Sequence, residues 1–127
     1  MELVALVTLI ALIEYFIFGM LVGQARGTYD VPAPAMTGHP VFERYVRAHL
    51  NTLEHLIIFL PAMWLFAHYV SAGWAALLGL VFIAGRFLYF RGYIVEASQR
   101  AAGFATSMIA QGLLVIGAFF GVLADLF

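Results

Sequence analysis

Apolar residues fall into four blocks along the chain, Leu3 to Val22, Leu56 to Phe66, Trp74 to about Tyr93 and Ala101 to Leu123, with polar residues gathered between them. A helix crosses a bilayer core with about 20 residues at ~1.5 Å each, and its backbone satisfies its own polar groups in lipid. The blocks therefore predict four membrane-spanning helices. Between the first two, Gln24 to Pro40 carries Gly27, Pro32, Pro34, Gly38 and Pro40, which predicts a loop. The second helix is expected to begin just after Pro40, to stay polar from Phe42 to His55 beyond the membrane edge, and to enter the bilayer at Leu56. Ser71, Ala72 and Gly73 leave room only for a tight turn, so the second and third spans should form an antiparallel hairpin. The last span is interrupted only by Thr106, Ser107 and Gln111. The expected architecture is an all-α, integral-membrane four-helix bundle, with residues 1–127 as one domain. Gly79, Gly85, Gly103, Gly112, Gly117 and Gly121 are expected where helices approach closely.

Composition sharpens this picture. Of 127 residues, 65 % are apolar and 10 % charged, against about 25 % charged in an average soluble domain, and the mean hydropathy is +1.00. A water-soluble monomer is excluded. Leu3 to Val22 is longer than the apolar region of a usual signal peptide and has no basic segment before it, so it reads as a retained span. A net charge of -1 gives no general basic field for nucleic acid, and nucleic acid is not an expected partner. The absence of cysteine removes disulfides, thiolate metal sites and a cysteine nucleophile, and the histidines have no ligand spacing, so no metal is expected.

All six basic side chains are arginines, and all lie toward the first and third connections: Arg26, Arg44, Arg47, Arg86, Arg91 and Arg100. By the positive-inside bias those connections face the cytoplasm and both chain ends face away from it. Arginines at helix ends also serve as snorkelling anchors, which needs no ligand. Their spacing adds something further. Arg44, Arg47, Asn51, Glu54 and His55 fall on one stripe of the second helix, about 100° wide, with His49 opposite. On the third helix Arg86, Tyr89, Tyr93 and Glu96 lie within about 80°, and Arg100 joins them if the helix continues. Two such stripes at one membrane end would line a cavity, against each other or against a neighbouring subunit.

Polar groups below the headgroups cost about 2.5–3.5 kcal/mol each at a span centre, so they pair, face a cavity or serve a function. Arginine grips carboxylates with paired hydrogen bonds, glutamate accepts from ammonium, and tyrosine offers hydroxyls with flat apolar area. The stripes thus fit an anionic or zwitterionic polar ligand that meets a lipophilic molecule at the cytoplasmic face. Glu14, alone in the first span, is expected to be a structural contact through a hydrogen bond or ion pair.

The run Phe42-Glu43-Arg44-Tyr45-Val46-Arg47-Ala48-His49-Leu50-Asn51-Thr52-Leu53-Glu54 resembles the second-helix signature of the membrane-associated proteins in eicosanoid and glutathione metabolism, or MAPEG family. Gly85-Arg86-Phe87-Leu88-Tyr89-Phe90-Arg91-Gly92-Tyr93 is similar to that family's third-helix run. The resemblance implies a homotrimer of four-helix subunits, with glutathione as co-substrate held between subunits near the cytoplasmic face. It implies that Arg47, Asn51 and Glu54 hold glutathione, joined by Arg26, Arg86, Tyr89 and Tyr93 and by His55 at a position that is tyrosine in the family's synthases. It also implies that Arg100, seven residues beyond Tyr93, stabilises the glutathione thiolate and is the catalytic residue.

Gly27 stands where the leukotriene-conjugating synthases have a second arginine, and His49 where they have glutamine. These departures resemble the microsomal glutathione transferase branch or a bacterial member more than a leukotriene enzyme. The function implied is a membrane glutathione S-transferase or peroxidase acting on lipophilic electrophiles or lipid hydroperoxides drawn from membrane lipid. Two other readings stand beside it: a lipid-binding scaffold of the same family, and a small transporter whose intramembrane Arg and Glu line a pathway.

Overall fold

The computed structural model describes residues 1–127 as four long helices: α1 (Glu2–Thr28), α2 (Pro40–Tyr69), α3 (Ala72–Val95) and α4 (Ala101–Leu126), with a 3₁₀ turn over Ala97–Arg100 leading into α4. All four are long and apolar enough to cross a membrane, so this is an integral, multi-pass membrane protein. The predicted starts are set by capping chemistry. Nδ1 of His39 accepts from the Val41 amide ahead of Pro40, whose missing N–H costs nothing in the first turn. Oγ of Ser71 accepts from the Trp74 amide and opens α3 directly after the hairpin turn.

Two boundaries differ from expectation. α1 continues six residues past Val22 to Thr28, because helical hydrogen bonding does not stop where apolar side chains give out; the connection is therefore Tyr29–His39. α3 ends at Val95, and Glu96 is extended at φ -160° and ψ 135°. Glu96 thus leaves the α3 stripe and is exposed.

The helices pack in antiparallel order, and α3 and α4 share the most extensive contact. Gly85 and Gly103 make that approach possible: a Cβ on Gly103 would overlap the backbone nitrogen of Tyr89, and one on Gly85 would lie 2.6 Å from the Ser107 nitrogen. Gly92 has the same effect on the 3₁₀ turn, whose Gln99 carbonyl lies where a Cβ would be. Gly79, Gly117 and Gly121 also face neighbouring side chains, whereas Gly112 faces open space and does not pack as expected.

Most of the core lies at the end remote from the arginines, around the Phe59–Phe82 stack at 3.9 Å with Met63, Leu114 and Val4. Nearer the arginines, Phe18 of α1 stacks on Phe90 of α3 at 4.1 Å. Only 30 of the 127 residues are buried, and Phe16, Ile57, Ile109, Ile116, Phe119 and Phe120 project outward. In lipid such faces carry no hydrophobic penalty.

Candidate functional site

All six arginines lie at the α1 C-terminal and α2 N-terminal end of the bundle, where α3 finishes and α4 begins. At that end α2, α3, the 3₁₀ turn and the start of α4 enclose a cavity of about 730 Å³, lined by Arg47, Leu50, Asn51, Glu54, Tyr89, Tyr93, Ser98, Arg100, Ala101 and Phe104. Parts of the two predicted stripes, Arg47, Asn51 and Glu54 on α2 and Tyr89 and Tyr93 on α3, line it together. Each lining position follows from local structure: Arg47, Asn51 and Glu54 recur at helical spacing on one face of α2, and Tyr89 and Tyr93 are one turn apart on α3 with ring centroids 5.5 Å apart.

Arg100 reaches the cavity by another route than a continued helix. The chain breaks at Glu96, and the 3₁₀ turn folds back over Gly92. Its guanidinium then lies 5.5 Å from the Tyr93 ring centroid and donates through Nη1 to the Ala97 carbonyl. The turn thus supports a side chain that would otherwise be free to swing.

Three predicted site residues lie outside the lining. Arg86 is fully buried: Nη2 donates to Asn51 Oδ1 at 2.7 Å, Nη1 donates to Ser107 Oγ at 3.2 Å, and the guanidinium lies 4.1 Å from the Tyr89 ring centroid. It stands behind the wall rather than in it. His55 sits at the edge of the α2 stripe and turns toward α4, edge-on to Phe104 with centroids 5.8 Å apart. Arg26 lies over the Phe42 ring at 4.9 Å and donates to the carbonyls of Val31 and Ala35, at 3.3 and 2.6 Å, bracing the first connection. It lines a separate small hollow with Asp30, Val31 and Pro32.

Arg44 also departs from its stripe, donating through Nε to the Ile94 carbonyl at 3.3 Å and tying the start of α2 to the end of α3. His49, on the opposite face as expected, stacks on Tyr15 of α1 at 4.5 Å. Glu14 makes no hydrogen bond or ion pair within the chain, whose sole ion pair joins the Met1 amine to Glu2. It lies instead in an apolar groove of about 570 Å³ between α1 and α3.

Sequence reasoning missed four lining residues. Leu50, Ala101 and Phe104 are apolar and gave no polar signal, and Ser98 sits in the polar run before Arg100 without a helical phase to place it. Ser107 was noted only as an interruption of the last span; a buried arginine in need of an acceptor on the facing helix is the signal that finds it.

The chemistry of the cavity is therefore two guanidinium groups, one carboxylate, one amide, two phenols and one hydroxyl, over an apolar rim. This defines a multi-span membrane protein with a pocket of mixed charge at the arginine-bearing end of the bundle. The chain belongs to the MAPEG family, whose sequence profile it matches over residues 4–120. It is 44 % identical over 122 residues to an uncharacterized protein of Synechocystis sp., covering 96 % of this chain and 89 % of that one. It is 40 % identical over 114 residues to human microsomal glutathione S-transferase 2, covering 90 % and 78 % of the two chains. Bovine leukotriene C4 synthase is 40 % identical over 122 residues, with 96 % and 81 % covered.

Proposed function

We propose that this protein is a membrane glutathione S-transferase, with glutathione peroxidase activity toward lipid hydroperoxides as a second reaction of the same site. The observation that carries the proposal is the convergence of Arg47, Asn51, Glu54, Tyr93 and Arg100 on one cavity. Glutathione carries two carboxylates, an ammonium group and a thiol. Two arginines suit the carboxylates and the thiolate, Glu54 suits the ammonium, and Asn51 with the tyrosines supplies neutral hydrogen bonds. The family membership and the glutathione-transferring relative support the same ligand.

Arg100 is the proposed catalytic residue. A thiol with pKa about 8.5 is mostly protonated at neutral pH, and the thiolate is the nucleophile. A guanidinium beside the sulfur favours the anion, and lowering the pKa by about two units corresponds to ~2.7 kcal/mol of differential stabilisation. In conjugation the thiolate sulfur bonds to the electrophilic carbon and the leaving group departs with its electron pair. Phe104 and the outward apolar faces of α2 and α4 give the lipophilic partner a path from the bilayer. In the peroxidase reaction the thiolate sulfur bonds to the terminal peroxide oxygen as the O–O bond breaks, and the alkoxide leaves and takes up a proton. The thiol of a second glutathione then displaces the hydroxyl of the resulting sulfenic acid, giving the disulfide and water.

The functional unit is proposed to be a homotrimer with the arginine-bearing end cytoplasmic. Arg26 lies outside its own chain's cavity, so it would contribute to the site of a neighbouring copy, and the outward apolar faces are available for that packing. His55 would act from beside the pocket through Phe104 rather than on glutathione directly.

Calorimetric titration of the detergent-solubilised protein with glutathione, followed by assays with an aryl halide and a hydroperoxide, tests this. Saturable glutathione binding with conjugation supports the proposal. Fatty-acid binding without conjugation would point to a scaffold, and glutathione-independent flux in proteoliposomes to a transporter.

A further inference from the structure

Arg86 is the largest side chain sealed completely from solvent, and no carboxylate lies within ion-pair distance of it. A buried charge normally finds an opposite charge, because desolvation is otherwise uncompensated. Here all its partners are neutral: Asn51 on α2, Ser107 on α4 and the face of Tyr89 on its own helix. Two of the three, Asn51 and Tyr89, line the cavity, and Ser107 passes the link on by donating to the Phe104 carbonyl at 3.0 Å. Arg86 thus joins the three helices that form the cavity.

A guanidinium has donors only, so whatever faces it must accept. Asn51 must therefore turn Oδ1 inward to Arg86, at 2.7 Å. Its Nδ2, which makes no hydrogen bond within the chain, is left on the cavity side. We infer that Arg86 is a positioning residue: it fixes the Asn51 amide so that residue 51 donates to an acceptor oxygen of the bound ligand. This rests on the glutathione assignment above for the identity of that oxygen, a carbonyl or carboxylate of the tripeptide, and it moves Arg86 from ligand contact to support.

Asn51→Asp separates the two halves of the amide, since it keeps an oxygen for Arg86 and removes the Nδ2 donors. This variant should unfold at a temperature no lower than the parent, yet bind glutathione at least about tenfold more weakly by calorimetry. Arg86→Met should raise the glutathione Kd about tenfold in the parent background and less than about twofold in an Asn51→Ala background, with kcat at saturating glutathione nearly unchanged. Parental glutathione affinity in Asn51→Asp, or an equal effect of Arg86→Met in both backgrounds, would overturn the inference; if Arg86→Met does not fold, the Asn51→Asp result decides. A ligand-free comparison separates this from the glutathione assignment: Asn51→Ala orphans Arg86 and should unfold below Asn51→Asp. Equal unfolding temperatures overturn the Arg86 link whatever the protein binds. A parent protein that takes up no glutathione overturns the tripeptide as the ligand, and with it this use of Asn51.

Discussion

The cavity between α2, α3 and α4 and the groove between α1 and α3 are similar in size, about 730 and 570 Å³, and both sit on the half of the bundle that carries the arginines. Their linings differ. Polar groups from two helices and a 3₁₀ turn converge on the first, while nine of the eleven residues around the second are apolar, with Glu14 and Arg91 as the exceptions. Hollow space is common on a membrane bundle. What distinguishes a binding site is several complementary groups held at fixed separation by elements that cannot move independently. The α3–α4 approach through Gly85 and Gly103, the Gln99 contact over Gly92 and the Arg44–Ile94 bond supply that rigidity around the cavity.

Breaking the contrast should be easiest at Arg100. If Arg100 lowers the thiol pKa by about two units as proposed, its loss in Arg100→Ala returns that pKa to about 8.5, and conjugation at pH 7 should fall about 25-fold. Because the arginine favours the deprotonated form, the deficit should approach about 100-fold below pH 6 and close above about pH 9. A pH–rate profile with an aryl halide at saturating glutathione checks this. Arg47→Ala should weaken glutathione binding about 10- to 100-fold, as expected for loss of a charge-assisted bond, with a smaller effect on turnover; titration calorimetry reads the split.

Gly103→Val acts on the frame. The added atoms meet the Tyr89 backbone, which has nowhere to go, so a cost of about 1–3 kcal/mol should appear as a lower unfolding temperature in detergent, with glutathione affinity falling as Tyr89 shifts. Gly112→Ala, facing open space, should change stability by less than about 0.5 kcal/mol. At the groove, Glu14→Gln and Phe87→Leu should leave the glutathione Kd within about twofold of the parent; a loss comparable to that of Arg47→Ala would erase the distinction between the two hollows.

Hydropathy and punctuation were enough to read four spans, their antiparallel order and the shared end of the arginines, because lipid permits few backbone solutions. Helical spacing was enough to bring Arg47, Asn51 and Glu54 together, since residues three and four apart share a face. Spacing gives direction around an axis but no depth, so it could not tell that Arg86 stops behind the wall or that Arg44 spends its guanidinium on the Ile94 carbonyl. Nor could it locate the break at Glu96, which depends on the 3₁₀ turn folding onto Gly92. His55, at the stripe's edge, went to α4 because Phe104 lies there, a contact between helices that periodicity on one helix cannot contain.

The most direct measurement is the ultraviolet absorbance of the thiolate when the detergent-solubilised protein is mixed with glutathione at neutral pH. A saturable thiolate band in the parent that disappears in Arg100→Ala while calorimetric binding persists is the predicted result. No band in the parent, or an undiminished one without the arginine, would contradict the assignment of this cavity as the place where glutathione is charged.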